Sequence, residues 1–375
     1  MSAKVKKRIA VLSGDGIGPE VIVQAIKVLR AIEQVFGHQF EYEEALVGAA
    51  AIDATGDPLP PETIAICKKA DAILFGAIGD PKYDNDPNAK VRPEQGLLKL
   101  RKTMGLYANI RPVKAYDNLL HISPLKKENI KDCDFVIYRE LTGGIYFGKK
   151  ERSADGQSAT DECTYSVREI ELIAHKAFKA AQLRRKKLML VDKANVLETS
   201  RLWRDTVKKM ASQYPDVELD FLFVDNAAMQ IIINPKQFDV ILTENMFGDI
   251  ISDEASVITG SLGLLPSASV GDTSAMFEPI HGSYPQAAGK DIANPCATIL
   301  SAAMMLDYFG LHEEAGVVHS TIEYLLDHHI VTKDLNAKKF YSTSTIGDLA
   351  AEVIIEKSQA FVHKKNVELG TSTII

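Results

Sequence analysis

The clearest chemical signal in the sequence is a pair of aspartates four residues apart. Asp249 and Asp253 lie in a segment, 245–254, whose pattern predicts a helix. Residues i and i+4 share a helix face, and two like charges there destabilise a helix by roughly a few tenths of a kcal/mol unless a cation compensates. Mg²⁺ and Mn²⁺ prefer carboxylate oxygens. The pair therefore predicts a metal site, to which Asp225 could add a third carboxylate; the alternative is a solvated acidic face.

Three arginines could bind the carboxylates of a small polyanionic substrate. Arg111 and Arg139 each end a predicted strand, and Arg101 lies on a predicted helix. The planar guanidinium group suits bidentate binding of a carboxylate. Surface arginines are also common, so this pattern alone leaves the substrate class open.

One face of the helix predicted over 93–103 carries an unusual combination of side chains. Glu94, Leu97, Leu98 and Arg101 are spaced i, i+3, i+4 and i+7, which places them on one side. Two leucines between an acid and an arginine indicate a pocket with an apolar floor and a carboxylate-binding rim. The alternative is an amphipathic helix whose charges reach the edge of a core.

A tyrosine and a lysine stand where catalytic groups are often found. Tyr146 lies in a glycine-rich turn, 140–148, and would need an electropositive site to lower its pKa of about 10 before acting as a proton donor. Lys193 lies just past the strand predicted over 188–191, at the end where open α/β sheets bind ligands. Packing of the tyrosine and solvation of the lysine are the alternatives.

A glycine-rich loop near the N-terminus could approach an anion or a cofactor. Gly14, Gly16 and Gly18 separate a short apolar strand from a helix that begins near Pro19. The spacing is GxGxG rather than the dinucleotide fingerprint GxGxxG, so a simple tight turn explains it about as well.

The elements that must position these residues alternate between strand and helix, which predicts an α/β architecture. Buried strands are predicted over 8–12, 72–75, 135–138, 188–191, 219–224 and 240–242. Helices are predicted over 19–36, 93–103, 166–182, 197–213, 246–259, 295–309, 312–329 and 346–360. The stretch rich in glycine, proline and serine over 260–271 is the clearest break in composition and could be a domain crossing.

Composition narrows the function classes. The 375 residues predict about two domains, and a net charge of −7 disfavours nucleic acid as the main partner. No apolar stretch reaches the ~18 residues of a membrane span, and the basic N-terminus lacks the apolar core of a signal peptide. The four cysteines are widely spaced, which predicts a reduced, cytoplasmic protein with no zinc site.

Taken together, these motifs resemble the β-decarboxylating 2-hydroxyacid dehydrogenases, the isocitrate/isopropylmalate dehydrogenase family. The resemblance runs nearly end to end, from 14–20 to 281–283 and 292–295, and the segment 245–253 is highly specific for the family. It implies an α/β fold of two domains with mixed sheets, distinct from the usual Rossmann fold. Residues 1–106 and 260–375 would form a discontinuous cofactor-side domain, and 107–259 a central domain with the dimer interface.

The resemblance also implies a role for individual residues. Arg101, Arg111 and Arg139 would bind substrate, Tyr146 would donate a proton, and Lys193 would be the second catalytic group. Asp225, Asp249 and Asp253 would hold Mg²⁺ or Mn²⁺, with Lys193 and Asp225 supplied by the partner subunit of a homodimer. Glu94, Leu97, Leu98 and Val196 would surround the substrate's isopropyl group and the nicotinamide. The NAD contacts would be Ile17, Glu94, Asn195, Glu278, His281, Gly282, Ser283, Gln286 and Asn294.

The expected reaction is NAD-dependent oxidative decarboxylation of 3-isopropylmalate in leucine biosynthesis. One position departs from the family: many members have HGSAPD where this chain has His281 to Gln286. Gln286 lacks the charge that repels a 2′-phosphate, but it is not the lysine of an NADP⁺ enzyme, so we expect NAD⁺ with weaker discrimination.

Individual residues disfavour two alternative functions. Isocitrate, homoisocitrate or tartrate dehydrogenase is disfavoured, because isocitrate needs polar groups around its γ-carboxylate and this chain has Leu97 and Leu98. A non-catalytic subunit of the same fold is disfavoured, because the tyrosine, the lysine and the aspartate pair are all present.

Overall fold

The computed structural model describes residues 4–85 and 89–370, and for 357–370 it describes the backbone alone. The chain divides into two compact units. Unit 1 comprises Met1–Leu98 and Met276–Ile375, and unit 2 comprises Lys99–Ala275. The domain limits that the resemblance implies, at 106/107 and 259/260, stay a prediction. Among the described residues, no helix is both long enough and apolar enough to cross a membrane.

The N-terminal part of unit 1 alternates strands and helices. Its elements are β1 (Lys6–Gly14), α1 (Gly18–Phe36), β2 (Gln39–Glu44), α2 (Gly48–Thr55), α3 (Pro61–Lys69), β3 (Ala72–Ala77), α4 (Pro81–Asp84) and α5 (Pro93–Thr103), the last of which continues into unit 2. The C-terminal part contributes β12 (Ala275–Pro279), α11 (Cys296–Tyr308), α12 (His312–Asp327) and α13 (Thr343–Gly370).

The strands of unit 1 form a parallel array in the order β2, β1, β3, β12. All six residues of β3 are buried, and so is the apolar run of β1 from Ile9 to Leu12. Near-continuous apolar runs of this kind are typical of parallel strands covered on both faces. The carboxyl ends of β1 and β3 therefore lie at one edge, next to the loop 14–18.

Unit 2 contains the remaining elements. Its strands are β4 (Ala108–Lys114), β5 (Asp134–Glu140), β6 (Lys150–Arg152), β7 (Ala159–Asp161), β8 (Lys187–Asp192), β9 (Glu218–Phe223), β10 (Val240–Thr243) and β11 (Pro266–Val270). Its helices are α6 (Lys127–Ile130), α7 (Val167–Leu183), α8 (Glu198–Ala211), α9 (Val224–Ile233) and α10 (Asn245–Ser256).

Six strands of unit 2 lie in the order β11, β4, β5, β10, β8, β9. β4 is antiparallel to both of its neighbours, whereas β5, β10, β8 and β9 run parallel. A buried cluster that includes Phe135, Phe238 and Ile251 packs beneath β5 and β10. The mixed α/β architecture predicted from the sequence is thus confirmed.

The predicted elements agree with the structure except at their ends, where local patterns are least informative. The prediction that Arg111 ends a strand is wrong. β4 continues through Pro112 to Lys114, and its pairing with β11 covers only 108–110. Within the described residues, β11 does not extend along β4 beyond Ile110, so the missing N–H of Pro112 costs no ladder hydrogen bond on that side.

Candidate active site

The aspartate pair lies on α10, whose first turn is capped by the carboxylate of Glu244 through the Phe247 N–H at 2.8 Å. Asp249 and Asp253 are one helical turn apart, as predicted. Asp249 is half-buried and Asp253 is exposed. Arginines from two strands provide the positive charge that the like-charged pair requires.

Arg139, near the end of β5, is the most buried of these arginines at 4% exposure. Its Nη1 donates to Asp249 Oδ1, and its Nε and Nη2 donate to Asn245 Oδ1 at 3.1 and 2.9 Å. Burial, with repulsion from Arg111, lowers the pKa of Arg139 to about 10. The side chain still carries its charge at neutral pH.

Arg111, in the middle of β4, faces the same helix. Its Nη1 donates to Ser252 Oγ at 2.5 Å and lies 3.3 Å from Asp253 Oδ1, and its Nη2 lies 3.8 Å from Asp249 Oδ1. Arg101, on α5, is close enough to lower the pKa of Arg139 as well. The three predicted arginines therefore form one cationic cluster within unit 2.

Tyr146 joins this cluster through its hydroxyl. The OH donates to Asp249 Oδ2 at 3.0 Å, and the guanidinium carbon of Arg139 lies 5.8 Å from the ring centroid. Burial and the Asp249 carboxylate raise the pKa of Tyr146, and Arg139 opposes them. The direction is opposite to the lowered pKa expected from the sequence, because the Asp249 carboxylate and burial outweigh Arg139 and keep the hydroxyl protonated.

The turn that carries Tyr146 is fixed by a buried carboxylate. Glu140, fully buried, accepts hydrogen bonds from Thr142 N at 2.7 Å, Thr142 Oγ1 at 2.6 Å and Gly143 N at 2.8 Å. Because three donors converge on one side chain, the chain reverses sharply after β5. This reversal brings Tyr146 back over Arg139.

Lys193 follows β8, as predicted, and forms a separate pair with Asp225 in the first turn of α9. Its Nζ lies 2.5 Å from Asp225 Oδ1, and this hydrogen bond lowers the pKa of that carboxyl. The buried Asp192 anchors the same loop by accepting from Arg204 at 2.8 and 2.7 Å and from Ala194 N at 3.0 Å. Asn195 and Val196 follow on this loop and are exposed.

The three aspartates predicted to hold a metal do not meet within one chain. Among the described residues, no group of three or more histidine, cysteine, aspartate or glutamate side chains is arranged to hold an ion. Asp249 and Asp253 offer two hard oxygen ligands on one helix face, which suits Mg²⁺ or Mn²⁺ but leaves the site incomplete. Asp225 lies instead with Lys193.

In unit 1, the glycine-rich loop is held tightly by backbone contacts. Ile17 N donates to Ser283 O at 2.8 Å, and a Cβ on Gly16, whose φ is +58°, would lie 2.0 Å from that same oxygen. The buried Asp15 carboxylate accepts from the N–H groups of Ala49 and Gly79 at 2.9 Å each. Ile17 and Ser283, two predicted cofactor contacts, are therefore adjacent.

The predicted pocket face of α5 is only half-buried. Leu97 and Leu98 are partly exposed, and Glu94 is exposed with one carboxylate oxygen close to Gly79. This placement leaves the leucines accessible to a ligand rather than absorbed into the core.

The remaining predicted cofactor residues lie on or near the segment after β12. Burial lowers the pKa of His281, whose Nδ1 donates to Gly282 O at 3.0 Å, so the ring is neutral. Gln286 is exposed on a short 3₁₀ turn. Glu278 and Asn294 are buried, and Asn294 accepts from Cys296 N at 3.0 Å.

Sequence reasoning assigned no role to three residues that contact the arginines directly: Asn109, Asn245 and Ser252. The i, i+2 spacing of Asn109 and Arg111 on one strand was a usable signal, because alternate residues share a strand face. The contacts of Asn245 and Ser252 depend on how α10 packs, which the sequence does not encode locally.

Comparisons with known proteins point to one enzyme family. The isocitrate/isopropylmalate dehydrogenase family model matches residues 8–350. The 3-isopropylmalate dehydrogenase of Heyndrickxia coagulans is 56% identical over 346 residues, covering 91% of this chain and 94% of that protein. The enzyme of the same name from Bacillus subtilis is 52% identical over 361 residues, covering 94% of this chain and 99% of that protein.

Solved structures share the fold. Isocitrate dehydrogenase from Methylococcus capsulatus matches with a TM-score of 0.84 and 32% identity, covering 93% of this chain and 99% of that one. A β-decarboxylating dehydrogenase from Thermococcus kodakarensis matches with a TM-score of 0.78 and 34% identity, covering 93% and 96%.

Proposed function

Because the chain belongs to the isocitrate/isopropylmalate dehydrogenase family, we propose that it oxidises and decarboxylates (2R,3S)-3-isopropylmalate with NAD⁺. The products are 4-methyl-2-oxopentanoate, CO₂ and NADH, in leucine biosynthesis. The observation that carries the proposal is the convergence of Arg111, Arg139 and Tyr146 on Asp249. Relatives named 3-isopropylmalate dehydrogenase, which are 52–56% identical to this chain, support 3-isopropylmalate as the substrate.

The residues of unit 2 suit a substrate with two carboxylates and a hydroxyl. Arg101, Arg111 and Arg139 would bind and orient the carboxylates. Asp249 and Asp253 would hold Mg²⁺ or Mn²⁺ together with Asp225 of the partner subunit. When bound, the cation makes the substrate's hydroxyl more acidic and polarises the ketone formed from it.

Two protons would move through side chains of the protein. Lys193 Nζ of the partner subunit would take the proton of the C2 hydroxyl, and NAD⁺, when bound, would supply the acceptor for the C2 hydride. Loss of CO₂ leaves an electron pair at C3, and the Tyr146 hydroxyl would donate the proton that completes the product there. NAD⁺ is the proposed acceptor, because Gln286 adds no positive charge for a 2′-phosphate.

Substrate choice would come from α5. Leu97 and Leu98 are accessible apolar side chains on the face that also carries Arg101. Burying an isopropyl group against them contributes about 1.5–3 kcal/mol, whereas a carboxylate in that place would lose water without gaining a partner. We therefore expect 3-isopropylmalate to be preferred over isocitrate by orders of magnitude in kcat/KM.

The test is a dehydrogenase assay with 3-isopropylmalate, isocitrate and D-malate side by side, following NADH. Strong preference for 3-isopropylmalate is expected. Equal kcat/KM for 3-isopropylmalate and isocitrate would contradict the assignment of the pocket and favour a sister activity.

We also infer that the working unit is a homodimer with shared sites. Lys193 and Asp225 pair with each other at 2.5 Å, and the described residues of one chain do not complete a three-carboxylate site. Lys193→Ala and Asp249→Ala subunits, each inactive alone, should regain part of the activity when refolded together, because a mixed dimer keeps one intact site. Mixed dimers without activity would show that one chain supplies all of these residues.

We place the enzyme in the cytoplasm. Its four cysteines are all free thiols, and three of them are buried. Burial raises the pKa of Cys67, Cys133 and Cys296 to about 12, which keeps these thiols unreactive.

A further inference from the structure

Two of the substrate arginines are held in the same way by a buried asparagine. Arg111 Nε donates to Asn109 Oδ1 at 2.7 Å, and Arg139 Nε donates to Asn245 Oδ1 at 3.1 Å. Asn109 is fully buried and Asn245 is 1% exposed. Each arginine therefore meets a neutral amide oxygen on its Nε edge.

The strand register explains why these side chains meet. Asn109 on β4 pairs directly with Arg139 on β5 and with Ser269 on β11. Arg111 lies two residues beyond Asn109, and alternate residues share a face of the sheet. Asn109 and both arginines therefore project from one face, beneath α10.

Each asparagine is itself anchored through its amide nitrogen. Asn109 Nδ2 donates to Ser267 Oγ at 2.8 Å, Ser269 Oγ at 3.2 Å and Ala268 O at 3.3 Å. Asn245 Nδ2 donates to Gly143 O at 3.1 Å, in the turn that leads to Tyr146. The position of each amide oxygen, and hence of each Nε, is thus set by buried partners.

The opposite edges of the guanidinium groups meet charged oxygens. Arg139 Nη1 contacts Asp249, and the two Nη atoms of Arg111 face Asp253 and Asp249. A carboxylate at Nε as well would surround a buried arginine with negative charge on both edges. Neutral amides fix the orientation and leave the positive charge available to the substrate.

We propose that Asn109 and Asn245 are positioning residues that aim Arg111 and Arg139 at the carboxylates of the substrate without neutralising them. The inference rests on the proposed function, since it assigns the Nη edges to a dianionic hydroxyacid once Asp249 and Asp253, which face those edges in the free chain, hold a cation. It also differs from a purely structural role, for which any buried acceptor at Nε would serve equally well.

The decisive variant is Asn109→Asp, because the two roles predict different results. The new carboxylate keeps an oxygen at Arg111 Nε, and its second oxygen replaces the amide nitrogen that donates to Ser267 Oγ and Ala268 O. A merely structural role predicts that the folded variant binds ligands as before, whatever the change in thermal stability. Our proposal predicts that the folded variant binds the dianion more weakly, on the order of 10–100-fold.

Binding is measured by calorimetry with 3-isopropylmalate and D-malate in the presence of Mn²⁺, and separately with NAD⁺. The NAD⁺ affinity should stay within about twofold of the unmodified protein, and KM for 3-isopropylmalate should rise more than kcat falls. Asn129→Asp is the matched control: it makes the same change at a half-buried residue of α6, outside the site, and should alter neither affinity.

Asn109→Ser supplies a second comparison. The shorter side chain removes the amide oxygen that accepts from Arg111 Nε, but it adds no charge. The expected order of dianion affinity is unmodified protein, then Asn109→Ser, then Asn109→Asp. The inference is overturned if the aspartate variant binds the dianion as tightly as the unmodified protein, or more tightly than the serine variant does. It is also overturned if the affinity of the aspartate variant for NAD⁺ falls by the same factor as its affinity for the dianion. Failure of the aspartate variant to fold would also contradict it.

The outcome is separable from that of the proposed function. A protein that binds D-malate but does not oxidise 3-isopropylmalate would refute the proposed function and leave this binding comparison intact. Normal turnover with unaltered dianion binding in Asn109→Asp would refute only the inference.

Discussion

Gly248, on the first turns of α10, is the position where one added methyl group should separate activity from stability. A Cβ there would lie 2.6 Å from Arg139 Cγ, 2.8 Å from Arg139 Cβ and 2.9 Å from Thr243 Cγ2. Restoring an ordinary contact of 3.4 Å requires a movement of about 0.8 Å. Because Arg139 lies on β5 and Thr243 on β10, rotation of a side chain alone cannot provide the whole movement.

The effect of Gly248→Ala on stability is the difference of two opposing contributions. Alanine in place of glycine inside a helix stabilises by about 1 kcal/mol, and overpacking a buried site costs about 1–3 kcal/mol. The net loss in free energy of unfolding should be between about 0 and 2 kcal/mol. A displacement approaching 1 Å in a substrate-binding group, by contrast, can lower the rate by about 10²-fold.

We therefore expect Gly248→Ala to lower kcat/KM for 3-isopropylmalate by about 10²-fold, chiefly through KM, while the free energy of unfolding falls by no more than about 2 kcal/mol. The control is Gly316→Ala on α12, where an added Cβ meets nothing within 4 Å. That variant should gain about 0.5–1 kcal/mol of stability and keep its activity. Full activity in Gly248→Ala would refute the argument that Arg139 lies against this glycine.

Chelation by EDTA should abolish turnover, and added Mn²⁺ should restore it. Full activity in metal-free buffer would show that the aspartate pair does not hold a required cation. Tyr146→Phe, which removes only the hydroxyl, should lower the rate by about 10²–10⁴-fold; unchanged turnover would make the tyrosine structural. The pKa of Arg139 in the free protein is about 10, so kcat/KM should fall as the pH rises through that value and the cation is lost, and a flat profile to pH 11 or so would contradict this. Leu97→Ser should lower kcat/KM for 3-isopropylmalate without creating an efficient isocitrate dehydrogenase, because it adds no positive charge for the γ-carboxylate. Efficient turnover of isocitrate by this variant would refute the assignment of the substrate pocket to α5.

The sequence by itself was sufficient wherever the signal is periodic and local. The i, i+4 spacing of Asp249 and Asp253 needs only helix geometry, and the apolar runs of β1 and β3 need only burial on both faces. The α/β class and the candidate arginines, tyrosine and lysine followed from such patterns, and the resemblance to the family assigned their roles.

What only the tertiary structure decided is which of these groups meet. Asn109 pairs with Arg139 across 30 residues of chain through strand register, and Asn245 reaches Arg139 across 106 residues because α10 packs over β5. A strand position specifies a face but not the strand opposite, and a helix position specifies a face but not what covers it. For that reason the sequence identified the charged residues of the site, whereas the neutral residues that orient them became visible only in the folded chain.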